Sequence, residues 1–317
     1  MNPESSAQWI KSAARRHGFA FAGIARAQKM DEEAVRLEEW LSHGYHGQMS
    51  YMERYFDLRT DPTRLVPGAK SVISLMYNYY SEKKQHDPNA PKISMYALGK
   101  DYHRVLGDKL NKLLAEIRSQ FGDVAGRCFV DSAPVLERDW AKRAGIGWIG
   151  KNTLLINPKA GSYFFLAEII LDLELSPDTP IDDHCGTCTR CIDACPTAAI
   201  DKEGYVLDGS KCISYLTIEL RDEIPSSFHD RMSNWVFGCD ICQQVCPWNR
   251  FSKPHHEPAF EPKEELLTMT ESEWHEITEE VFDSLFQKSA VKRTKYEGLR
   301  RNLEFLKANN GLKKLDT

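Results

Sequence analysis

The cysteines constrain this chain more than any other feature of its sequence. Eight of the nine lie in one stretch past the middle of the chain. Four of them, Cys185, Cys188, Cys191 and Cys195, form the pattern C-x-x-C-x-x-C-x-x-x-C, and a proline follows the last. In bacterial ferredoxins the first three cysteines of this pattern bind one 4Fe–4S cluster, while the fourth binds a second cluster. The pattern therefore predicts a domain folded around two clusters.

A second group of cysteines is one ligand short of the same pattern. Cys239, Cys242 and Cys246 form C-x-x-C-x-x-x-C, again followed by proline, and Val236 occupies the place of the missing cysteine. Cys212 is the unassigned cysteine nearby, so we give it the vacant ligand position. The predicted ligands are Cys185, Cys188, Cys191 and Cys246 for one 4Fe–4S cluster, and Cys195, Cys212, Cys239 and Cys242 for the other.

Structural zinc and a disulfide framework are the two other interpretations of these cysteines. Zinc favours paired C-x-x-C motifs, which fit the tight triple and the two Cys-Pro units poorly. Disulfides need an oxidising compartment, and the residues after Met1 do not form a signal peptide. We therefore expect a reducing, cytoplasmic location. The ninth cysteine, Cys128, lies in an apolar stretch and is expected to be a small buried side chain.

Length and composition are those of an ordinary globular protein. The chain has 317 residues, enough for two or three domains, with 42% apolar and 27% charged residues. No stretch approaches the roughly 18 apolar residues that a membrane span requires. The net charge of −5 provides no overall positive field for nucleic acid. Residues 291–317 nevertheless carry eight Lys and Arg against three acids. Such a run is usually a solvated helix face.

The part of the chain before the cysteines alternates predicted helices with predicted strands. This alternation favours a layered α/β or α+β domain. A linker at residues 176–180 separates it from the cysteines, and a polar segment after residue 250 leads to a helical tail. Helices are predicted at residues 5–17, 31–43, 102–120 and 135–144, and strands at residues 71–80, 126–131 and 163–173.

Gly145, Gly147 and Gly150 match the dinucleotide-binding fingerprint G-x-G-x-x-G by their letters. That fingerprint requires a strand before it and a helix after it. Here a predicted helix precedes the glycines and an extended segment follows them. We therefore expect a helix end and tight turns, and no nicotinamide site.

Asp131 is the candidate acid of the first domain. It follows a short apolar strand, where a carboxyl group that faces a pocket can act as a proton donor. Alternatively, Asp131 caps the helix that follows, because Asp favours helix starts. A ferredoxin-type electron carrier would not need a first domain of this size. We therefore expect an electron acceptor in that domain.

Six segments together resemble the epoxyqueuosine reductases, cobalamin-dependent enzymes of the last step of queuosine synthesis in tRNA. They occur in one order between residues 58 and 249, and together they are far more specific than the cysteines alone. The segments are LRTDPTRLVPGAKS (58–71), YALGKDYH (96–103), VDSAPVLE (130–137), AGIGWIGKNTLLI (144–156), CISYLTIE (212–219) and GCDICQQVCPWN (238–249).

The resemblance implies an α+β fold in three parts. Residues 1–175 would form a layered α/β cobalamin-binding domain, nitroreductase-like and related to the reductive dehalogenases. Residues 176–252 would form a bacterial ferredoxin-like domain with two 4Fe–4S clusters. Residues 253–317 would form a short helical tail, in which residues 296–306 resemble the start of a helical repeat that continues in longer family members.

The resemblance also implies the chemistry and its partners. Electrons from an external low-potential donor would pass through the clusters to cobalamin, and Asp131 would protonate the departing epoxide oxygen. The substrate would be the anticodon region of tRNA carrying epoxyqueuosine, and the protein would act as a monomer without a membrane. The motif around His103 is D-x-H-x-x-x-G, in which the glycine lies one position later than in the motif whose histidine binds cobalt. We therefore expect that no histidine binds the cobalt of this cobalamin. The cobalamin contacts expected from the resemblance are Arg59, Tyr96, Ala97, His103, Asp131, Asn152, Ser162 and Ser214.

Two other functions fit the same cofactors. A reductive dehalogenase would share the fold, although that class usually carries an export signal. A non-catalytic electron carrier or an activator of a corrinoid protein would share the clusters. For tRNA binding, the clearest local patch in the sequence is the basic tail at residues 292–314.

Overall fold

The computed structural model describes residues 1–313, of which residues 309–313 are described by their backbone alone. Lys314 of the predicted basic tail lies outside the described residues, as does the side chain of Lys313. The β-strands are β1 (Phe21–Arg26), β2 (Ser71–Asn78), β3 (Lys92–Ile93), β4 (Gly126–Phe129), β5 (Trp148–Ile149), β6 (Leu155–Ile156), β7 (Phe164–Leu171) and β8 (Trp235–Phe237). The α-helices are α1 (Pro3–Arg16), α2 (Asp31–Ser42), α3 (Phe56–Thr60), α4 (Pro62–Leu65), α5 (Tyr102–Phe121), α6 (Glu137–Arg143), α7 (Arg190–Asp193), α8 (Ile213–Ile218), α9 (Ile241–Gln244), α10 (Glu264–Thr268), α11 (Glu271–His275), α12 (Glu279–Leu285) and α13 (Lys295–Lys313). Short 3₁₀ helices span Ser50–Met52, Met95–Ala97, Gly209–Lys211, Ser226–Phe228, Pro247–Phe251, Pro258–Phe260 and Ala290–Thr294.

The first domain is built on a four-stranded antiparallel sheet in the order β1-β2-β7-β4. β2 is a central strand, in which Ile73 lies opposite Ile24 of β1 and Ile169 of β7. The first seven residues of β2 are all buried, because the sheet is covered on both faces. This burial explains why residues 71–80, SVISLMYNYY, are rich in apolar residues without a strict alternation of apolar and polar positions.

Helices form a layer on each face of this sheet. On one face, Leu110 of α5 is fully buried in the same core as Ile73. On the other face, Trp140 of α6 packs in a core with Val72 and Ile170. The result is a three-layer arrangement that places the ends of α5 and α6 beside the end of β4.

A side-chain cap fixes the first turn of α5. The Asp101 carboxylate accepts a hydrogen bond from the backbone N–H of His103 at 3.0 Å. The helix ends at Gly122, whose φ of +89° is a left-handed value that glycine adopts without strain. Because Asp101 holds the first turn, it also sets the direction of the Tyr102 and His103 side chains.

A second hydrophobic core joins the cysteine region to the C-terminal helices. Leu216 and Phe237, from the cysteine region, pack in one cluster with Trp274, Phe282 and Leu299. The core therefore continues across residue 252, where the sequence suggests a domain limit. The division into residues 1–175, 176–252 and 253–317 stays a prediction.

The longer predicted elements are confirmed, with ends that move by up to two residues. Strand β1 is missed by the sequence analysis, because its sequence FAGIAR contains alanine and glycine, which are depleted in strands. The structure supplies the reason for Gly23. A Cβ atom there would lie 2.0 Å from the carbonyl oxygen of Ala144, so the end of α6 packs directly on this strand.

The predicted helix end and turns are found at Gly145, which follows α6, and at Gly150, whose carbonyl oxygen accepts the turn hydrogen bond from Thr153, whereas Gly147 directly precedes β5. Gly145 has a φ of +69° and follows the end of α6. Beyond it, β5 and β6 form an antiparallel pair, in which Trp148 lies opposite Ile156. The fingerprint's required order of strand, glycines and helix is reversed here, and the rejection of a nicotinamide site therefore stands.

Arg301 of α13 binds the carbonyl groups at the end of α8. Its guanidinium donates hydrogen bonds to the carbonyl oxygens of Leu216 at 2.9 Å, Leu220 at 2.6 Å and Asp222 at 2.7 Å. The last carbonyls of a helix have no partner within the helix. Arg301 therefore ties the tail to the cysteine region, although the sequence suggested a nucleic-acid contact for it.

We predict that Arg301→Leu lowers the free energy of unfolding by on the order of 1–3 kcal/mol, because the carbonyl groups of buried Leu216 and half-buried Leu220 lose their donor. The measurement is the anaerobic urea-unfolding midpoint. The matched control is Arg300→Leu, since Arg300 forms an exposed ion pair with Glu304 and such pairs contribute about 0.3–0.5 kcal/mol. Equal shifts in the two variants would contradict this role of Arg301.

No helix within residues 1–313 is both long enough and apolar enough to cross a membrane.

Candidate active site between the sheet and the cysteine region

A cavity of about 450 Å³ lies between the central sheet and the cysteine region. Met76 of β2 and Phe165 and Leu166 of β7 contribute an apolar wall. Cys242 and Gln243 of α9 contribute to the wall from the cysteine region. A cavity of this size and mixed lining is typical of small-molecule and cofactor sites.

Most of the residues expected to contact cobalamin lie on this cavity. Those in its lining are Tyr96, Asp131, Asn152, Ser162 and Ser214. The others, Arg59, Ala97 and His103, lie outside the lining. The contacts themselves stay a prediction.

These other residues have distinct environments. Arg59 is buried and donates a hydrogen bond to the carbonyl oxygen of Tyr51 at 3.0 Å. Its Nε atom is buried without a hydrogen-bond partner among residues 1–313. Ala97 is buried, and its carbonyl oxygen accepts a hydrogen bond from Ser289 at 3.2 Å. His103 lies next to the cavity because it contacts Asp131 at the cavity wall.

Asp131 lies in a strained turn that the side chain of Glu137 holds. Its φ is +51°, a left-handed value that is uncommon for a residue other than glycine. The backbone N–H of Asp131 donates a hydrogen bond to Oε1 of Glu137 at 2.6 Å. Helix α6 begins only at Glu137, with Leu136 in the capping position. Asp131 is therefore not the cap of that helix, and its carboxylate is left to face the cavity.

Two side chains from the start of α5 bind the Asp131 carboxylate. Oδ2 accepts a hydrogen bond from the Tyr102 hydroxyl at 2.9 Å and lies 3.0 Å from Nε2 of His103. Burial acts to raise the pKa of Asp131, but the hydrogen bonds from His103 and Tyr102 and the charges of His103 and Arg293 outweigh it and lower this pKa. A carboxyl group that donates a proton by itself would need a raised pKa, and Asp131 does not have one. At neutral pH the carboxyl group is ionised.

Two further carboxyl groups lie behind Asp131. Burial and the charge of Asp131 raise the pKa of Glu137 to about 8. Glu168 of β7 is fully buried, and burial and the neighbouring Glu137 raise its pKa well above the ordinary value. Its Oε1 atom accepts a hydrogen bond from the Ser74 hydroxyl at 3.2 Å. Sequence reasoning missed both residues, although Glu137 lies in the same VDSAPVLE segment as Asp131.

Ser162 connects the sheet to the cysteine region. Its backbone N–H donates a hydrogen bond to Oδ1 of Asn249 at 2.7 Å. Its carbonyl oxygen accepts a hydrogen bond from the Gln243 side chain at 3.1 Å, and Gln243 also donates to the Tyr79 hydroxyl at 3.2 Å. These buried bonds fix the position of α9 relative to β7, and thereby the shape of the cavity. Sequence reasoning did not identify Gln243.

Four cysteines meet at the cavity. Cys195, Cys212, Cys239 and Cys242 all contribute to its lining. Burial, together with nearby Cys212 and Cys195, raises the pKa of the Cys239 thiol to about 12. These four are the predicted ligands of one cluster, although they are up to 47 residues apart in the sequence.

The other four predicted ligands also influence one another. Burial and the neighbouring Cys185 and Cys246 raise the pKa of Cys191 to about 11. Burial and the neighbouring Cys188 raise the pKa of Cys246. None of the nine cysteines forms a disulfide bond. The cysteines are thus neighbours in the crossed combination that the ferredoxin pattern predicts, and the disulfide interpretation does not apply.

Arg293 lies near the cavity from the C-terminal side. It forms a bidentate ion pair with Glu219, with N–O distances of 2.8 and 3.0 Å. Its guanidinium carbon lies 5.9 Å from the ring centroid of Tyr51. The Tyr51 side chain is 40% exposed, which leaves room for a ligand beside this pair.

Two family models match parts of this chain. The model of a 4Fe–4S double cluster binding domain matches residues 184–249, which include all eight predicted ligands. The prediction of two 4Fe–4S clusters is therefore confirmed, and the zinc interpretation is wrong. The model described as epoxyqueuosine reductase QueG, DUF1730, matches residues 59–132.

Comparison with whole proteins identifies the family and the fold. A catabolic reductive dehalogenase of 17% identity aligns over 98% of this chain and 37% of its own, with a TM-score of 0.51, which indicates the fold alone. The structure of an epoxyqueuosine reductase with an epoxyqueuosine-modified tRNA-Tyr stem loop is 31% identical, covers 95% of this chain and 80% of its own, and has a TM-score of 0.88. The epoxyqueuosine reductase of Cellulophaga algicola is 57% identical over 304 residues, which is 96% of this chain and 99% of that protein. The predicted fold is confirmed, and this chain belongs to the epoxyqueuosine reductase family.

Proposed function

We propose that this chain reduces epoxyqueuosine in tRNA to queuosine, with cobalamin as its cofactor and two 4Fe–4S clusters as its electron path. One observation carries the proposal: Asp131 and the four cysteines 195, 212, 239 and 242 line the same cavity. A proton donor and an electron source therefore face one shared cavity. The net reaction converts an epoxide, two electrons and two protons into an alkene and water.

The cavity suits a corrin. A corrin ring has broad apolar faces and amide groups at its edge. Apolar side chains such as Met76 and Leu166, and amide side chains such as Asn152 and Gln243, line the cavity together. When bound, cobalamin would supply a metal centre that accepts single electrons and acts on the C–O bond. Residues that would hold it are Tyr96, Asn152, Ser162 and Ser214 in the lining, with Arg59, Ala97 and His103 around it.

The eight cysteines would hold the clusters in crossed sets. Cys185, Cys188, Cys191 and Cys246 would bind the outer cluster, and Cys195, Cys212, Cys239 and Cys242 the cluster at the cavity. The second set supports the direction of electron flow, because these four cysteines line the cavity. Electrons from an external low-potential donor would enter at the outer cluster.

Asp131 would protonate the oxygen that leaves the substrate. Tyr102 and His103 orient its carboxylate toward the cavity, and Glu137 holds its backbone. A positioned acid of this kind typically contributes about 10²–10⁴-fold to the rate. The protein's own task is to place this proton and to exclude bulk water from the reacting oxygen.

The anticodon region of the tRNA would approach beside Arg293 and Tyr51. An arginine can bind phosphate, and an exposed aromatic ring can stack on an unpaired base. Much of the predicted basic tail is engaged within the fold, because Lys292 pairs with Asp283 and Arg300 with Glu304. Within the basic tail at residues 292–314 we therefore favour Arg293, beside Tyr51, as the tRNA contact over the rest of the tail. We further propose that the protein acts as a monomer, and in the cytoplasm, where it would meet tRNA.

Expression in bacterial cells that lack an epoxyqueuosine reductase tests the function. We expect the tRNA nucleosides, measured by mass spectrometry, to change from epoxyqueuosine to queuosine. The control is Asp131→Asn, expressed to the same level. Unchanged epoxyqueuosine in cells that contain the folded, cluster-loaded wild-type protein would refute the proposal.

A further inference from the structure

We propose that His103 stores the proton that Asp131 delivers, and that Asp101 is a positioning residue that keeps His103 ready for this transfer. The inference rests on the proposed function, and it explains how an ionised carboxylate can take part in acid catalysis. It adds a role in proton supply to the cofactor contact proposed for His103.

The histidine ring lies between two carboxylates. Nδ1 of His103 lies 2.7 Å from Oδ1 of Asp101, and Nε2 lies 3.0 Å from Oδ2 of Asp131. An ionised carboxylate only accepts hydrogen bonds, so both ring nitrogens must donate. A neutral imidazole has a single N–H, whereas the imidazolium has two. With both carboxylates ionised, as the lowered pKa values of Asp101 and Asp131 indicate, these two contacts call for the charged, doubly protonated ring.

The surroundings fix this ring in place. Asp101 binds both the ring and the backbone N–H of His103, at 2.7 and 3.0 Å. The His103 ring stacks on Tyr102 with a centroid distance of 4.2 Å, and Tyr102 stacks on Phe165 of β7 at 4.2 Å. The stack joins the first turn of α5 to the sheet. The proton-carrying nitrogen is thereby held toward Asp131.

The charges around the ring agree with this assignment. Burial acts to lower the pKa of His103, but hydrogen bonds from the ring to Asp101 and Asp131 and their charges raise it to about 9. The same contacts lower the pKa of Asp131. At neutral pH, below the raised pKa of His103 and above the lowered pKa of Asp131, the transferable proton of the pair therefore lies on His103. The other ionisable groups that act on this pair or on its neighbours are Tyr51, Tyr96, Tyr102, Glu137, Glu219 and Arg293.

Glu137 is the alternative proton source, since its raised pKa also keeps a proton at neutral pH. Its contact with Asp131, however, is to the backbone N–H and not to the carboxylate. We therefore assign Glu137 to holding the turn. Of Glu137 and His103, only His103 contacts the carboxylate oxygen of Asp131.

The transfer balances as follows. As the C–O bond breaks, Oδ2 of Asp131 takes the proton from Nε2 of His103 and passes it to the departing oxygen. His103 becomes neutral and keeps its Nδ1–H on Asp101. The side chain of His103 is 30% exposed, so it takes a new proton from solvent. The same route then delivers this second proton as the remaining C–O bond breaks and the oxygen leaves as water. The two electrons of the reduction come from the external low-potential donor through the clusters.

The first test measures the His103 pKa in the cluster-loaded, full-length protein without cobalamin. Hydrogen–deuterium exchange at the histidine C2 position, read by mass spectrometry, reports the pKa of each histidine. We expect a midpoint near 9 for His103, and a fall toward the ordinary value of about 6.5 in Asp131→Asn and in Asp101→Asn. An ordinary midpoint in the wild type would overturn the proposal whether or not the protein reduces epoxyqueuosine.

The second test is the pH dependence of single-turnover queuosine formation. In the wild type we expect the rate to fall as the pH rises through about 9, where His103 loses its proton. In His103→Gln the fall should move toward the ordinary aspartate range near 4, with a loss on the order of 10²-fold at neutral pH.

Tyr102→Phe is the matched control for this profile. It also removes a hydrogen bond to Asp131, but it leaves the His103 ring between its two carboxylates. We expect a lower rate with the alkaline fall near the wild-type pH. An alkaline fall that stays in place in His103→Gln would overturn the storage role. A wild type that binds tRNA without any turnover would instead refute the proposed function, and the exchange result would stand separately.

Discussion

Replacing Asp131 with asparagine is expected to reduce queuosine formation by about 10²–10⁴-fold, the usual contribution of a positioned acid. Asparagine keeps the size of the side chain and can still contact Tyr102 and His103, but it cannot pass a proton to the departing oxygen. Both 4Fe–4S clusters and cobalamin binding should be retained, because neither depends on this proton. The measurement is single-turnover product formation under anaerobic conditions, with iron content and cofactor affinity determined on the same sample.

Asp57→Asn is the matched control, since Asp57 is an exposed carboxylate that pairs with Arg64 on the surface. It should change the rate little. Near-normal turnover in Asp131→Asn would show that the proton reaches the oxygen from another group. A loss of clusters in that variant would show that Asp131 supports the fold instead.

The second large effect concerns the ligand that the sequence pattern leaves open. Cys212→Ala should remove one ligand of the cluster at the cavity, so the anaerobically reconstituted protein should hold about four irons instead of about eight. Turnover should be abolished, because the electron path would end at the outer cluster. Iron analysis and the electron paramagnetic resonance spectrum of the reduced protein provide the readouts.

Cys128→Ala is the control for the loss of a thiol. Cys128 lies on β4, where burial raises the pKa of its thiol to about 12 and makes it unreactive. This variant should keep about eight irons. An unchanged iron content in Cys212→Ala, or a loss in Cys128→Ala, would contradict the crossed ligand assignment.

The features that sequence alone could predict share one property: their signal is local. The cysteine spacing identifies the clusters because ferredoxin-type ligands lie close together along the chain. The sequence of β2 predicts a buried strand because the apolar side chains on both of its faces must be shielded from water. Even Cys212, which lies apart from both groups, could be assigned because a single ligand position remained vacant.

The features that sequence reasoning missed depend on contacts between distant segments. His103 and Asp131 are 28 residues apart and meet only because α5 begins beside the point where β4 ends. The ionised state of Asp131 follows from that meeting, so no property of the VDSAPVLE segment could reveal it. Arg301 belongs to a basic run in the sequence, yet its partners are carbonyl groups about 80 residues away.

The central claim is that this chain reduces epoxyqueuosine with cobalamin, which would bind in the cavity between Asp131 and the nearer cluster. Its most direct test is anaerobic turnover of tRNA that contains epoxyqueuosine, with purified, cluster-loaded protein, a low-potential reductant and cobalamin present or omitted. We predict queuosine only in the complete mixture, detected by mass spectrometry of the digested tRNA. Equal product without cobalamin, or no product in the complete mixture, would contradict the claim.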